Sequence, residues 1–148
     1  MSEARAADTL AVALFAEVFA VEQLARTRVG HALPRGMELS HFTVLNHLAH
    51  VGGERTPAQI ARAFSLTRGA MTNTLGRLER AGWVHVRPDW DDARRKQVAI
   101  SSAGRAALDE AARALAPILN EIIDDVGQAD LRAALPVLRR LRTRIAEG

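Results

Sequence analysis

Apolar residues recur at helical spacing from Ala6 to Arg28, a stretch without Gly or Pro. Leu10, Leu14, Val18, Val21 and Ala25 form one stripe, and Val12, Phe15 and Phe19 widen it. The pattern predicts a first helix of about 35 Å ending at Gly30. Its apolar surface is too wide for one face, so the helix is expected to pack on more than its own domain. Beyond Pro34 and Gly36, Ser40 is placed to cap a second helix with Phe42, Leu45, Leu48 and Ala49 inward, stopped at Gly52-Gly53. Thr56, Pro57 and Gln59 then combine an N-cap, a first-turn proline and a capping-box glutamine, followed by Ile60, Ala61 and Phe64 on a short apolar face. Thr67 caps a fourth helix in which Met71, Leu75 and Leu78 point inward before Gly82 ends it.

The period then changes from helical to alternating. Val84 and Val86, then Val98 and Ile100, alternate with polar residues as two antiparallel strands do. The polar turn between them, from Pro88 to Arg95, carries Arg94 and Arg95. Ser101 or Ser102 restarts helix through Leu108, Leu115, Ile118, Leu119, Ile122 and Val126, and a last helix spans roughly Ala129 to Ala146. Pro117 and Pro136 fall inside these two helices and predict kinks. The expected fold class is mainly α with a small β-hairpin wing: one domain over 1–148. Within it, a winged helix-turn-helix over 40–101 is flanked by long helices at 5–30 and 102–146 that form a dimerisation region.

Charge sharpens this picture. The net charge is only +3, yet residues 55–105 hold ten Lys/Arg against four Asp/Glu, a balance of +6, while the remainder balances at −3. A basic middle in a mildly acidic chain suits an anionic partner. Nineteen of the 20 cationic residues are Arg, whose planar fork suits phosphate and guanine. The chain has no cysteine, which removes disulfides, thiolate metal sites and thiol-based sensing. There is no apolar run of about 20 residues and no signal-peptide pattern, so the expectation is a cytoplasmic protein without membrane contact.

A short helix, the tight Ser65-Leu66 turn and the Thr67-capped helix together read as a helix-turn-helix whose second helix presents its N-terminal half to a major groove. The residues left outward on it are Thr67, Arg68, Gly69, Thr72, Asn73, Gly76 and Arg77, with no carboxylate before Glu79. Arg68 can reach guanine O6/N7, and Asn73 is suited to adenine. Arg94 and Arg95 of the hairpin are placed to enter a flanking minor groove. The plain alternatives are a solvated helix face and a surface ion pair of Arg94 with Asp92. Trp90 is expected to pack onto its own hairpin.

The segment TPAQIARAFSLTRGAMTNTLGRLERAGWVHVRPDWDDARRKQVAISSAG resembles the winged-helix core of the MarR (multiple antibiotic resistance regulator) family. Leu66-Thr67-Arg68 through Leu78-Glu79-Arg80-Ala81-Gly82-Trp83-Val84 is similar to the family's recognition-helix pattern. Asp92-Ala93-Arg94, Val98-Ala99-Ile100-Ser101 and Gly104 are similar to its wing signature. The resemblance covers the whole chain in architecture and residues 56–104 by motif. It implies a homodimer that binds double-stranded DNA at pseudo-palindromic operators, usually as a repressor. It also implies a small-molecule effector, phenolic or otherwise, held between the dimerisation and DNA-binding regions, with Phe15, Phe19, His41, Leu45 and Leu119 as candidate lining. By motif position Asp92 supports the wing and Arg94 is its minor-groove arginine. Gly69, Gly76, Thr74 and Trp90 depart from the family pattern, so no operator sequence carries over.

An enzyme is not expected: there is no GxSxG, phosphate-binding loop, HExxH or paired carboxylate set in a predicted cleft, hence no catalytic residue and no cofactor. His47 and His50 share a helix face but lack further ligands, and Asp124, Asp125 and Asp130 lack EF-hand spacing, so no metal is expected. The competing function is a winged-helix protein-interaction adaptor without DNA binding, which the Arg-rich wing argues against.

Overall fold

The computed structural model describes the backbone of residues 2–148 and the side chains of residues 5–148. Its elements are α1 (Ser2–Ala32), α2 (Leu39–Val51), α3 (Pro57–Ala63), α4 (Arg68–Arg80), β1 (Val84–Pro88), β2 (Lys96–Ile100), α5 (Ser102–Val126) and α6 (Gln128–Glu147). The predicted order holds, and the boundaries differ in two places. α1 continues through Gly30 and stops only where Leu33 is buried and Pro34 has no amide to donate. α2 is capped by Glu38 rather than Ser40. Met37 is buried in the core and fixes the chain ahead of the helix, so the extended residue before the first turn is Glu38. The amide of Glu38 donates to Nδ1 of His41 at 3.1 Å.

The start of α3 follows its sequence. Thr56 Oγ1 accepts from the Gln59 amide at 3.2 Å, and Gln59 Oε1 accepts from the Thr56 amide at 2.9 Å, a reciprocal capping box. The turn into α4 places Ser65 at φ 51, in the left-handed region, while the Leu66 amide closes on the Ala61 carbonyl at 2.9 Å. Thr67 Oγ1 then caps α4 by accepting from the Ala70 amide at 3.2 Å.

In the hairpin, Val84 faces Ile100 and Val86 faces Val98, which sends the alternating apolar residues to the core side. Arg55 adds a bridge that the sequence pattern did not indicate: its amide donates to Val98 O at 2.9 Å and its carbonyl accepts from Val98 N–H at 2.8 Å. The sheet thereby ties the segment before α3 to the wing.

One core gathers Leu33, Met37, Val44, Leu45, Leu48, Ile60, Ala61, Met71, Leu75, Leu78, Val84, Val98, Ala111 and Leu115. It is built by α2, α3, α4 and the hairpin, with α5 laid across it. Gly104 marks the crossing: a Cβ there would lie 2.0 Å from the Trp83 carbonyl oxygen, so only glycine lets α5 approach the turn between α4 and β1. Ser101 locks the same junction, donating to Gly82 O at 2.6 Å and accepting from the Gly104 amide at 2.9 Å.

The helices outside this core are covered far less. Leu10, Val12, Leu14, Phe19, Val21 and Leu24 of α1 are exposed, as are Leu119, Ile122 and Val126 of α5 and Leu135, Val137, Leu138 and Ile145 of α6. α6 contributes no buried residue. α5 and α6 run unbroken through Pro117 and Pro136, whose exposed positions leave the freed carbonyls of Arg113 and Arg132 to water. Among the described residues no helix is long and apolar enough to cross a membrane.

Candidate nucleic-acid interface

α4 is held from below by Met71, Leu75 and Leu78, spaced four and three apart and all in the core. That anchoring turns the opposite residues outward: Thr67, Arg68, Gly69, Thr72, Asn73 and Arg77 are all exposed. Arg68 and Thr72, one turn apart, share a groove of about 440 Å³ with Arg94, Arg95 and Lys96 of the wing and with Thr56 and Pro57 at the start of α3. Leu75, Gly76 and Glu79 complete its α4 wall. Recognition helix and wing thus converge on one cationic channel, with Glu79 its single carboxylate. Asn73 lies outside this groove, on the adjacent outward face.

Arg77 has a different position. Its Nη1 lies 3.2 Å from Glu38 Oε1, joining the last turns of α4 to the N-cap of α2. The sequence grouped Arg77 with the outward polar set; the structure gives it this partner across the fold, which no local pattern announces because the two residues are 39 apart. Beside the pair, His41 is buried, with its ring edge-on to Trp83 at 6.3 Å. Burial lowers its pKa from the ordinary 6.5; nearby Glu38 opposes that shift and Arg77 adds to it.

The wing turn is built by two carboxylates. Asp92 Oδ1 accepts from the Arg94 amide at 3.0 Å and lies 3.3 Å from Arg94 Nε. Asp89 accepts from the Asp91 amide at 2.9 Å and from Gln97 Nε2 at 3.1 Å, and these bonds hold its carboxyl below the ordinary range. Asp92 is half-covered, whereas the Arg94 side chain is 93% exposed. The aspartate therefore steers the root of an arginine whose guanidinium projects into solvent. Trp90 was expected to pack on the hairpin, and only one of its faces does: the Arg87 guanidinium lies 5.0 Å from the ring centroid while the residue stays 83% exposed.

The residues considered for an effector are dispersed in the single chain. Leu45 is fully buried and His41 nearly so, while Phe15 and Phe19 meet at 6.3 Å on α1 and Phe19 and Leu119 are exposed. His47 packs edge-on to Phe64 at 5.3 Å, and its pKa is lowered by burial and by Arg55 and His50. Among the described residues no three His, Cys, Asp or Glu side chains form a metal-binding group.

Residues 35–95, the end of the first loop through the wing turn, match the model of the MarR family. The fold is similar to the transcriptional regulator BldR from Sulfolobus solfataricus, with TM-score 0.81 and 23% identity over 90% of this chain and 94% of that one. It is also similar to a mutant of MarR from E. coli complexed with operator DNA, with TM-score 0.74 and 25% identity over 87% and 92%. A third likeness is to the PcaV transcriptional regulator from Streptomyces coelicolor in complex with its natural ligand, with TM-score 0.73 and 15% identity over 85% and 89%. The matched segment holds α2, α3, α4 and β1 and stops short of β2, and the likeness in fold extends over the helices on both sides of it. The family match of residues 35–95 and the likeness of the whole fold to these transcriptional regulators both identify a MarR-type winged helix flanked by long helices.

Proposed function

We propose that this protein is a homodimeric repressor that binds a pseudo-palindromic operator and releases it in response to a small molecule. The observation that carries the reading is the cationic channel shared by Arg68 and Thr72 of α4 and Arg94, Arg95 and Lys96 of the wing. In this reading the N-terminal half of α4 enters the major groove. Arg68 reads a guanine edge, and Thr67, Gly69, Thr72 and Asn73 make the close contacts that small and amide side chains allow. Arg94, steered by Asp92, reaches into the adjacent minor groove, with Arg95 beside it. Arg77 contributes by fixing α4 against Glu38 and by its positive charge near the phosphates.

The second copy is inferred from the exposed apolar faces of α1, α5 and α6. The chain exposes 10929 Å². That is about 3,500 Å² more than the roughly 7,400 Å² expected for a compact monomer of this mass. Burying only part of that excess on each of two copies reaches the roughly 2,000–5,000 Å² in total that obligate dimers bury. A two-fold pairing through 5–30 and 102–146 would set two α4 helices about 34 Å apart, one turn of duplex. The effector would act where these helices meet the winged helix, near Phe15, Phe19 and Leu119, by binding better to the dimer geometry that cannot span two grooves. That PcaV, a regulator of similar fold, binds a natural ligand supports a small-molecule response here. A gel shift of the DNA upstream of the protein's own gene, against scrambled duplex, tests the reading. A retarded band that resists excess scrambled competitor is expected; equal competition by scrambled DNA would overturn it.

A further inference from the structure

Among the described residues Trp90 is the most exposed of the large apolar side chains, at 83%, and with Leu66 it is one of only two exposed ones outside α1, α5 and α6. It therefore does not belong to the surface assigned to the second copy. Its orientation is nevertheless set. Arg87 Nε and Nη2 engage the two carboxylate oxygens of Glu54 at 2.7 and 2.9 Å, and Arg87 Nη1 donates to Pro88 O at 2.8 Å. All three guanidinium nitrogens are thus engaged, and this anchored plane lies against one side of the indole at 5.0 Å. The Asp89 amide closes the tip of the wing by donating to Arg95 O at 3.1 Å. Trp90 and Arg94 sit one residue inside that closing pair, on opposite limbs of the tip. The opposite limb of the tip carries the exposed cations Arg94, Arg95 and Lys96, while Asp89, Asp91 and Asp92 stand on the limb of Trp90, Asp92 turned to Arg94 and Asp89 to Gln97.

A pre-oriented ring with one face open, across the tip from the exposed Arg94 and Arg95, fits the wall of a nucleic-acid groove. There, apolar deoxyribose surface lies beside the phosphates that the arginines seek. Resting on the DNA-binding reading above, we propose that Trp90 is a second wing contact. Its free face packs against deoxyribose of the operator minor groove while Arg94 takes the groove floor and phosphates. This contact removes apolar area from water and displaces no counterion, so its share of affinity is independent of salt, opposite to that of Arg94.

The test uses the full-length protein and the tightest duplex recovered by selection from random sequence. Trp90→Ala is expected to weaken binding about tenfold per half-site, with the slope of log affinity against log salt unchanged. Trp90→Phe should recover part of the loss. In the protein labelled with 5-fluorotryptophan, ¹⁹F spectra hold two resonances, Trp83 and Trp90, assigned through the Trp90→Phe variant. The Trp90 resonance should shift on DNA addition while that of the half-buried Trp83 stays. Binding by Trp90→Ala within twofold of the parent would overturn the proposal. So would lost affinity with an unmoved Trp90 resonance, which would make the ring a stiffener of the wing. A parent protein that selects no duplex would instead overturn the DNA-binding reading itself.

Discussion

The winged helix and the helices that flank it handle apolar residues in opposite ways. From Leu39 to Ile100 the inward positions Val44, Leu45, Leu48, Ile60, Met71, Leu78 and Val98 are almost completely buried, and only Leu66 and Trp90 among the large apolar side chains are exposed. In α1, Leu10, Val12, Val21 and Leu24 each keep more than half their surface in water, and no residue of α6 is buried. Both regions show helical periodicity in the sequence. Periodicity thus reports that a face will be covered, while the structure of one chain reports whether that chain covers it. The winged helix, with Ala111 and Leu115 of α5 laid across it, is covered within the chain, whereas most of the apolar surface of α1 and α6 is not.

The largest effect should come from breaking the flanking surface alone. Leu24→Asp combined with Leu138→Asp places charge on two exposed apolar sites that a two-fold axis doubles. Each leucine forfeits roughly 1.5–3 kcal/mol of burial. Sedimentation at micromolar concentration should show the parent as a dimer and the double variant as a monomer whose helical circular dichroism is largely kept. Leu78→Ala probes the other region. Truncating this fully buried side chain should cost about 2–5 kcal/mol in denaturant unfolding, through the winged-helix core itself. If Leu78→Ala dissociated the dimer and the aspartates unfolded the core, the division between the regions would be wrong.

Smaller effects sharpen the same division inside the winged helix. Thr67→Ala removes the acceptor for the Ala70 amide and should cost about 1 kcal/mol, measured as a shift of the denaturant midpoint. His41 supplies a pH dependence. Its pKa is lowered in the fold from the ordinary 6.5, so the unfolded chain binds its proton first as pH falls. The stability it contributes is therefore present above about pH 6.5 and is lost as pH drops toward the depressed native value. His47 shifts in the same direction. His41→Gln keeps an acceptor for the Glu38 amide, as Gln59 does for Thr56 in α3, and should flatten part of the fall in melting temperature between pH 7.5 and 5.5. An unchanged pH profile would remove His41 from the account.

Much of this was legible in the residues. Thr56-Pro57-Ala58-Gln59 and Thr67 announce their helices because each N-cap bonds an amide three residues away, a short-range event. The change of period at Val84 announces the hairpin for the same reason, and the outward set on α4 followed once Met71, Leu75 and Leu78 were assigned inward. What was not legible depends on contacts between distant segments. The cap of α2 moved to Glu38 because buried Met37 fixes the entering chain, the Arg55–Val98 bridge joins residues 43 apart, and Arg77 found Glu38 across the fold. Gly30 was read as a stop from its type alone, yet its neighbours allow the helix to continue to Ala32. The open face of Trp90 likewise depends on where Glu54 holds Arg87, which the sequence of the wing does not contain.

The central claim is that α4 reads bases while the wing senses the groove, and fluorescence anisotropy over a salt series on cognate and scrambled duplexes tests it most directly. Arg68→Ala should cost roughly 1–3 kcal/mol per half-site on the cognate duplex and flatten preference at one base position. Arg94→Ala should weaken both duplexes more evenly and lower the salt slope by about one per half-site. Asp92→Ala should give a milder form of the same loss, because its carboxylate steers Arg94 from 3.3 Å. Intact operator preference in Arg68→Ala, together with unchanged binding by Arg94→Ala, would contradict the account: the shared channel would then not be where this protein meets DNA.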